Sequence, residues 1–287
     1  MNGLASRAVL YGRMVKLSHS VFALPFALAS AALAAGEGTR WHDVAWIVVA
    51  MVGARSAAMG FNRLADHEID ARNPRTTGRE LPRGVLRRAE VWAFVALSAG
   101  ALVLAAAMLN PLCLMLSPVA LAIVFGYSYT KRFTALSHLF LGLGLALAPV
   151  GAWLALRGQL APVPIVLGLA VLAWVAGFDT IYACQDVAFD REAGLHSLPA
   201  RLGVARALQV ARALHLLAVM LLALVYRLAP LHPIYLAGVA GVAALLAYEH
   251  SLVSADDLSR VDAAFFAVNG WISVGYLGAT LAARILA

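Results

Sequence analysis

Two stretches of the sequence place oxygen-bearing side chains at every fourth position. Their members are Asn62, Asp66 and Asp70 in the first stretch and Tyr182, Asp186 and Asp190 in the second, with Asp179 one helical turn before Tyr182. Positions four residues apart share one face of an α-helix, so each stretch forms a ladder of ligands if its helix continues through it. Such oxygens suit Mg²⁺, which in turn binds phosphate. The spacing therefore predicts a Mg²⁺ site whose ligands are Asn62 and the catalytic carboxylates Asp66, Asp70, Asp186 and Asp190. The alternative is that the acidic residues merely end helices and meet water, and the matched spacing of two ladders disfavours it.

Basic residues in the polar connections near the ladders could bind a phosphate group. The candidate diphosphate ligands are Arg75, Arg79, Lys131, Arg132 and Arg201. Arginine forks and lysine point charges both suit phosphate oxygens. A membrane protein also concentrates basic residues on its cytoplasmic side, so topology alone could account for each candidate.

Arg55 lies well inside an apolar stretch, seven residues before Asn62 and on nearly the same helical face. An unpaired charge there costs several kcal/mol, so the side chain must face a polar interior. Two interpretations remain open, a salt bridge with an aspartate such as Asp66 and an anchor for a substrate carboxylate.

Packing or interfacial roles are predicted for the histidines that lack partners at metal-ligand spacing, namely His19, His138 and His215.

The elements that must position these side chains are transmembrane helices. Hydrophobic residues make up 62% of the 287 residues and charged residues 13%, and the mean hydropathy is +0.82. A helix needs roughly 20 apolar residues to cross a bilayer. About nine spans are predicted, at 17–36, 44–65, 91–109, 112–129, 137–156, 164–186, 208–228, 234–253 and 264–284. We expect an all-α membrane protein with one domain, residues 1–287, whose cytoplasmic helical loops form a cap over a central cavity.

The distribution of basic residues predicts the orientation of the chain. Most of the 22 lysines and arginines lie in the N-terminal tail and the even-numbered connections, which the positive-inside rule places in the cytoplasm. The net charge of +7 is explained by this asymmetry, so we expect no nucleic-acid partner. We predict an integral protein of the cell inner membrane with the N-terminus and the loops near the ladders in the cytoplasm. The ladders lie four spans apart, which suggests duplicated halves.

The motifs resemble those of the UbiA superfamily of intramembrane aromatic prenyltransferases. The first family motif is matched at Asn62, Asp66 and Asp70 and continues at Arg75, Thr76 and Arg79; the second is matched at Asp179, Tyr182, Asp186 and Asp190; an aromatic-basic segment is matched at Tyr129, Lys131 and Arg132. The resemblance covers essentially the whole chain. Arg63 stands where an aspartate often follows the motif asparagine, and His196 stands where many members have lysine.

This resemblance implies Mg²⁺-dependent transfer of a polyprenyl group from a polyprenyl diphosphate to an aromatic acid within the lipid bilayer. The acceptor expected from the resemblance is of the 4-hydroxybenzoate type, in quinone biosynthesis, and 1,4-dihydroxy-6-naphthoate in menaquinone biosynthesis is the alternative. The resemblance places Arg55, Asp179 and Tyr182 at the acceptor. Buried acids and an arginine in a helical bundle also occur in cation-coupled transporters, which form the alternative from another class.

Overall fold

The computed structural model describes residues 4–15 and 22–287, and every regular element in these ranges is a helix. The helices are α1 (Leu4–Met14), α2 (Leu24–Ala34), α3 (Trp41–Ala65), α4 (His67–Arg72), α5 (Arg88–Leu109), α6 (Pro111–Thr130), α7 (Ser137–Arg157), α8 (Pro162–Ala183), α9 (Val187–Glu192), α10 (Leu198–Leu202), α11 (Val204–Leu228), α12 (Ile234–Ser251), α13 (Val261–Ala263) and α14 (Asn269–Ile285). A 3₁₀ turn, Cys184–Asp186, joins α8 to α9, and a π-helical turn, Ala264–Val268, joins α13 to α14. The prediction of an all-α membrane protein is confirmed.

Eight helical stretches in the described ranges are long and apolar enough to cross a bilayer. They correspond to the predicted spans from the second to the ninth, and most of their ends agree within four residues because hydropathy defines them. The predicted first span, 17–36, is described only from residue 22, and its helix α2 has 11 residues. Lys16 and His19 lie outside the described residues. The count of nine is therefore approximate.

Helix α8 occupies the centre of the bundle. In the most apolar stretch of this span 67% of the residues are buried, whereas the corresponding share in the other spans is 17–39%. It packs against α7 and α11, while α3 packs against α5. Small residues bring these helices together: a Cβ atom added to Gly142 would lie 2.5 Å from the carbonyl oxygen of Leu172, and one added to Gly53 would lie 2.9 Å from that of Ser98.

Both helices that carry a ladder break within it. Asp66 ends α3 at φ −97°, ψ 6°, and Asp186 precedes α9 at φ −102°, ψ 4°, angles of the sparsely populated bridge region. The condition of a continuous helix, under which each ladder would lie along one helical face, is therefore not met. At the first break Arg132 Nη2 donates to the carbonyl oxygen of Ala65 at 2.6 Å, which satisfies a group that helix termination leaves without a partner.

The predicted cap is present at one end of the bundle. It consists of α4 with the segment 73–87, the turn 131–136, and α9 with α10. The backbone N–H of His196 donates to the carbonyl oxygen of Lys131 at 2.7 Å, and Asn73 Nδ2 donates to Asp186 Oδ1 at 3.1 Å. These bonds join the three parts of the cap, which covers the end of the bundle where both ladders lie.

Candidate functional site

A polar cavity of about 280 Å³ lies under the cap and brings both ladders together. The predicted site residues that line it are Arg55, Asn62, Asp66, Asp70, Arg75, Arg79, Lys131, Asp179, Tyr182, Asp186 and Asp190. Arg132 and Arg201 are not among the lining residues. Arg132 lies behind Asp66, at the end of α3. Arg201 is exposed on α10, so the structure does not bring this predicted diphosphate ligand to the cavity.

Cations compensate the carboxylates of the first ladder. Lys131 Nζ lies 2.6 Å from Asp66 Oδ2, and Asn62 Nδ2 donates to the same oxygen at 3.0 Å. Arg79 Nη1 lies 2.6 Å from Asp70 Oδ2. Asp66 and Asp70 are 2% and 4% exposed, and such burial of an unpaired carboxylate would be costly. The pairing explains how two aspartates are tolerated there.

The second ladder is compensated through Arg75 and Ser197. Arg75 forms a two-pronged ion pair with Asp186, and its Nη1 donates to Tyr182 Oη at 2.9 Å. Burial alone would lower the pKa of Arg75, but the hydrogen bond and the charge of Asp186 outweigh it and raise that pKa above its usual value. Ser197 Oγ donates to Asp190 Oδ2 at 2.7 Å. Arg75, Arg79 and Lys131 thus lie directly at the aspartates.

The donor set of the cavity fits a hard divalent cation that is shared with a phosphate. Among the described residues no group of three or more His, Cys, Asp or Glu side chains is close enough to form a protein cage for a metal. Mg²⁺ does not need such a cage, since it usually takes one or two carboxylates and completes its shell with water and substrate phosphates. Each ladder offers two aspartates to the same cavity, which matches this mode of binding.

A second cavity, of about 200 Å³, is apolar and adjoins the polar one. It lies between α3, α5, α6 and α7, and its lining is mostly alanine, leucine and glycine. The residues that line both cavities are Arg55, Met59, Tyr127, Leu141 and Leu145. The polar and the apolar cavity are therefore direct neighbours, and these five residues form the junction between them.

Arg55 lies at the junction, and its buried Nε has no hydrogen-bond partner among the residues the structure describes. Asp66 is instead paired with Lys131 and Arg132, and no ion pair of Arg55 is found in the described ranges. The salt-bridge interpretation of Arg55 is therefore not supported. The guanidinium group of Arg55 therefore remains available to an anionic ligand.

Two residues of the site differ from the sequence-based expectation. Tyr127 lines both cavities, whereas Tyr129 is 45% exposed and stacks with Arg132 outside them. The spacing of four between Tyr127 and Lys131 is the signal that could identify Tyr127 from the sequence. A packing or interfacial role is predicted for His138, whereas in the structure its Nδ1 lies 2.7 Å from Asp179 Oδ2, and both residues line the polar cavity.

The departures from the family pattern also have structural positions. Arg63 is buried, and its Nε donates to the carbonyl oxygen of Met14 at 3.3 Å, which ties the end of α1 to α3. His196 lines the polar cavity beside Lys131, to which its backbone is bonded. Arg63 is thus used for a structural contact, and His196 is part of the cap.

The eight long apolar helices in the described ranges identify an integral membrane protein, and comparison with known proteins gives its family. The family model described as UbiA prenyltransferase family matches residues 23–271. The chain is 34% identical over 217 residues to the 4-hydroxybenzoate octaprenyltransferase of Aeromonas hydrophila, with 74% of each chain covered. It is 30% identical over 256 residues to the protein of the same name from Azoarcus sp., with 87% of this chain and 88% of that one covered. The protein belongs to the UbiA prenyltransferase family.

Solved structures agree with this assignment. The apo structure of a UbiA homolog from Aeropyrum pernix K1 superimposes with a TM-score of 0.83 at 35% identity, covering 93% of this chain and 98% of that one. A UbiA homolog from Archaeoglobus fulgidus bound to GPP and Mg²⁺ shares the fold at 20% identity, with a TM-score of 0.72 and coverage of 95% and 99%. The protein is therefore an enzyme of the prenyltransferase class, and the transporter interpretation is not supported.

Proposed function

We propose that this enzyme transfers a polyprenyl group from a polyprenyl diphosphate to 4-hydroxybenzoate or a closely similar aromatic acid in quinone biosynthesis. The curated relatives named 4-hydroxybenzoate octaprenyltransferase support this acceptor. The observation that carries the proposal is the direct junction between a polar cavity with two aspartate ladders and an apolar cavity. A substrate with a charged head and a long apolar tail matches that arrangement.

The two ladders would hold Mg²⁺ and the diphosphate head. Asp66, Asp70, Asp186 and Asp190, with Asn62, are the proposed ligands, and a UbiA homolog of the same fold binds GPP and Mg²⁺. Bound Mg²⁺ neutralises the diphosphate and favours its departure as a leaving group. The chain adds three cations, Arg75, Arg79 and Lys131, which stabilise the charge that develops when the allylic C–O bond breaks. Arg132 supports Asp66 from behind.

The apolar cavity would hold the polyprenyl tail. Its lining exposes almost no polar group beyond the junction, so the tail replaces one apolar environment, lipid, with another. The allylic carbon would then lie near Tyr127 and Arg55, at the base of the polar cavity. Exclusion of water from this junction protects an electron-deficient allylic group from hydrolysis.

Arg55 would bind the carboxylate of the acceptor. The unpartnered Nε supports this role, because a buried guanidinium group gains most from a ligand that accepts two hydrogen bonds. Asp179 and Tyr182 also line the polar cavity and would contact the ring. The electron-rich ring then attacks the allylic carbon.

The remaining proposals concern topology. Basic residues of the cap, such as Arg72, Arg83 and Arg87, support a cytoplasmic position for the cap and the site, in the cell inner membrane. We also propose that residues 1–287 act as one domain, since both ladders contribute to one cavity.

A reconstituted reaction tests the proposal. Purified protein in detergent is incubated with Mg²⁺ and a radiolabelled polyprenyl diphosphate, with 4-hydroxybenzoate and 1,4-dihydroxy-6-naphthoate offered in parallel. We expect a labelled product with 4-hydroxybenzoate that disappears when EDTA is added. A product with the naphthoate alone would refute the proposed acceptor, and folded protein that makes no product with either acid would refute the proposed function.

A further inference from the structure

His138 connects the base of the polar cavity to the cap. The ring is 3% exposed and lies on α7, with Nδ1 at 2.7 Å from Asp179 Oδ2 of α8. On its other side, the backbone N–H of Leu198, the first residue of α10, donates to Nε2 at 3.3 Å. Both nitrogens of a buried imidazole are therefore engaged.

These two contacts fix the tautomer of His138. A backbone N–H can only donate, so Nε2 must be the unprotonated nitrogen that accepts from Leu198. The ring proton then resides on Nδ1 and is donated to Asp179. Asp179 consequently accepts a hydrogen bond from the imidazole Nδ1, and 24% of its side chain is exposed in the cavity.

Asp179 differs in its partner from three of the four ladder aspartates, and the fourth, Asp190, is bonded to Ser197 and is a proposed metal ligand. Asp66, Asp70 and Asp186 each form an ion pair with Lys131, Arg79 or Arg75, so a cation already contacts each of these carboxylates. Within the described residues Asp179 has no lysine or arginine partner. It also lies seven residues before Asp186 on α8, about 10 Å deeper in the bundle at 1.5 Å per residue. Arg55 is likewise deeper than the ladder of α3.

The proposed reaction needs a group that removes a proton from the acceptor ring. When the allylic C–O bond breaks, its electron pair leaves with the diphosphate. Ring electrons then form the new C–C bond, which leaves a cationic ring. The C–H bond at the substituted carbon breaks next, its electrons restore the aromatic ring, and a proton is released.

We propose that Asp179, held in place by His138, accepts the proton that the aromatic ring loses. The inference rests on the proposed function, because it concerns the last step of that reaction. Asp179 is the catalytic base, and His138 is a positioning residue that directs one carboxylate oxygen away from the cavity and leaves the other for the ring. The proton passes from Asp179 to water or diphosphate when the product leaves. Because His138 also accepts a hydrogen bond from Leu198, the orientation of Asp179 depends on the position of α10.

Ring-deuterated 4-hydroxybenzoate tests this inference with the full-length enzyme. In Asp179→Asn we expect kcat to fall by about 10²- to 10⁴-fold, the usual contribution of a general base. The KM for the polyprenyl diphosphate should stay unchanged. A primary isotope effect on kcat should appear that the wild type lacks, since removal of the ring proton becomes the slow step. A merely structural role would not produce an isotope effect.

Two His138 variants separate positioning from packing. His138→Phe keeps the volume and loses the donor, and we expect roughly a tenfold lower kcat with the same isotope effect, as for groups that orient a reactive side chain. His138→Asn restores an N–H donor near the position of Nδ1, and we expect it to recover most of the activity. If Asp179→Asn fails to fold, the kcat values and isotope effects of the two His138 variants test the inference instead.

The outcomes distinguish this inference from the proposed function. A wild-type enzyme without product refutes both. An active wild type together with an Asp179→Asn variant of normal kcat, or one whose slower reaction has no isotope effect, overturns only the assignment of Asp179 as the base. Equal kcat values for His138→Phe and His138→Asn would likewise overturn this inference and leave the proposed function intact.

Discussion

At the scale of single residues, the site is an arrangement of carboxylates whose partners are already cationic. Lys131, Arg79 and Arg75 each contact a ladder aspartate, and the same three side chains are the proposed diphosphate ligands. A metal-bound diphosphate has both the positive and the negative groups needed to replace these internal ion pairs. Binding would therefore exchange one set of compensated charges for another and leave no buried charge unpaired.

Removal of one ladder carboxylate should abolish the reaction. We expect Asp66→Ala and Asp186→Ala to lower prenyl transfer by at least about 10²-fold, the scale of losing one group that stabilises developing charge. The purified variants should remain folded in detergent. Asp257→Ala, which alters an exposed carboxylate outside the cavity, serves as the control. Near-normal turnover in either ladder variant would contradict the metal assignment.

Arg55 should affect the acceptor more than the donor. In Arg55→Ala we expect the KM for 4-hydroxybenzoate to rise roughly ten- to a hundredfold, since a hydrogen bond to a charged group contributes about 1.5–3 kcal/mol. The KM for the polyprenyl diphosphate is the internal control and should change little. Steady-state kinetics with each substrate varied in turn measures both. An unchanged KM for the acid would assign Arg55 a structural role.

Residue types and spacing are sufficient to predict that the ladders, Arg55 and three of the cations line one polar cavity, because ionisable side chains are costly in apolar spans and mark polar sites there. The sequence does not predict that Arg201 lies outside the polar cavity or that His138 contacts Asp179. The orientation of Arg201 depends on how the short helix α10 packs, and the contact of His138 joins residues 41 positions apart. Neither depends on a local pattern in the sequence.

At the scale of helices, the bundle depends on close approach at glycines. Gly142 on α7 meets the backbone of α8 at Leu172, and backbone atoms cannot rotate away as a side chain can. The centre of the bundle is formed by this contact, so the position of the second ladder on α8 depends on it.

Gly142→Ala should therefore destabilise the protein. The added Cβ atom would lie 2.5 Å from the carbonyl oxygen of Leu172, which forces α7 and α8 apart. We expect a loss of about 1–3 kcal/mol, typical of overpacking, seen as a lower Tm in detergent. Gly151→Ala on the same helix is the matched control, because its Cβ would meet nothing within 4 Å. Equal Tm values for both variants would show that the contact at Gly142 does not limit stability.

The ends of the spans follow from hydropathy, and the predicted ends at 65 and 186 coincide with the two breaks, whereas the backbone angles at Asp66 and Asp186 do not follow from hydropathy. An aspartate within a helical spacing pattern gives no local sign that the helix stops there. The break at Asp66 depends on Arg132 of another segment, which donates to the carbonyl oxygen of Ala65. The same angles recur at Asp186 in the second ladder, which agrees with the expected similarity of the two halves.

At the scale of the whole molecule, the two cavities form one path from the cap towards the opposite end of the bundle. Gly144 and Gly151 both line the apolar part, and seven residues of α7 separate them by about 10 Å. The apolar cavity therefore has a depth that would limit the length of the tail it can hold.

A bulky side chain deep in that cavity should shorten the tail that the enzyme accepts. We expect Gly151→Phe to lower kcat/KM for a long polyprenyl diphosphate by roughly tenfold or more while geranyl diphosphate is less affected, since a filled pocket rejects added methylenes. Gly126→Phe, at a glycine outside both cavities with nothing within 4 Å, is the control. Parallel losses with both donors would show that the tail does not reach Gly151.

The breaks at Asp66 and Asp186 have a mechanical consequence for the cap. Helix α3 meets α4 at the single residue Asp66, and α8 meets α9 through the 3₁₀ turn Cys184–Asp186, whose last residue has nearly the same backbone angles as Asp66. Rotation about the backbone bonds of those two residues would swing α4 and α9 while the spans below remain straight. Asp66 and Asp186, which are proposed to bind the metal, would then also be the hinges of the cap. A metal ion bound by both residues would hold the cap in its closed position.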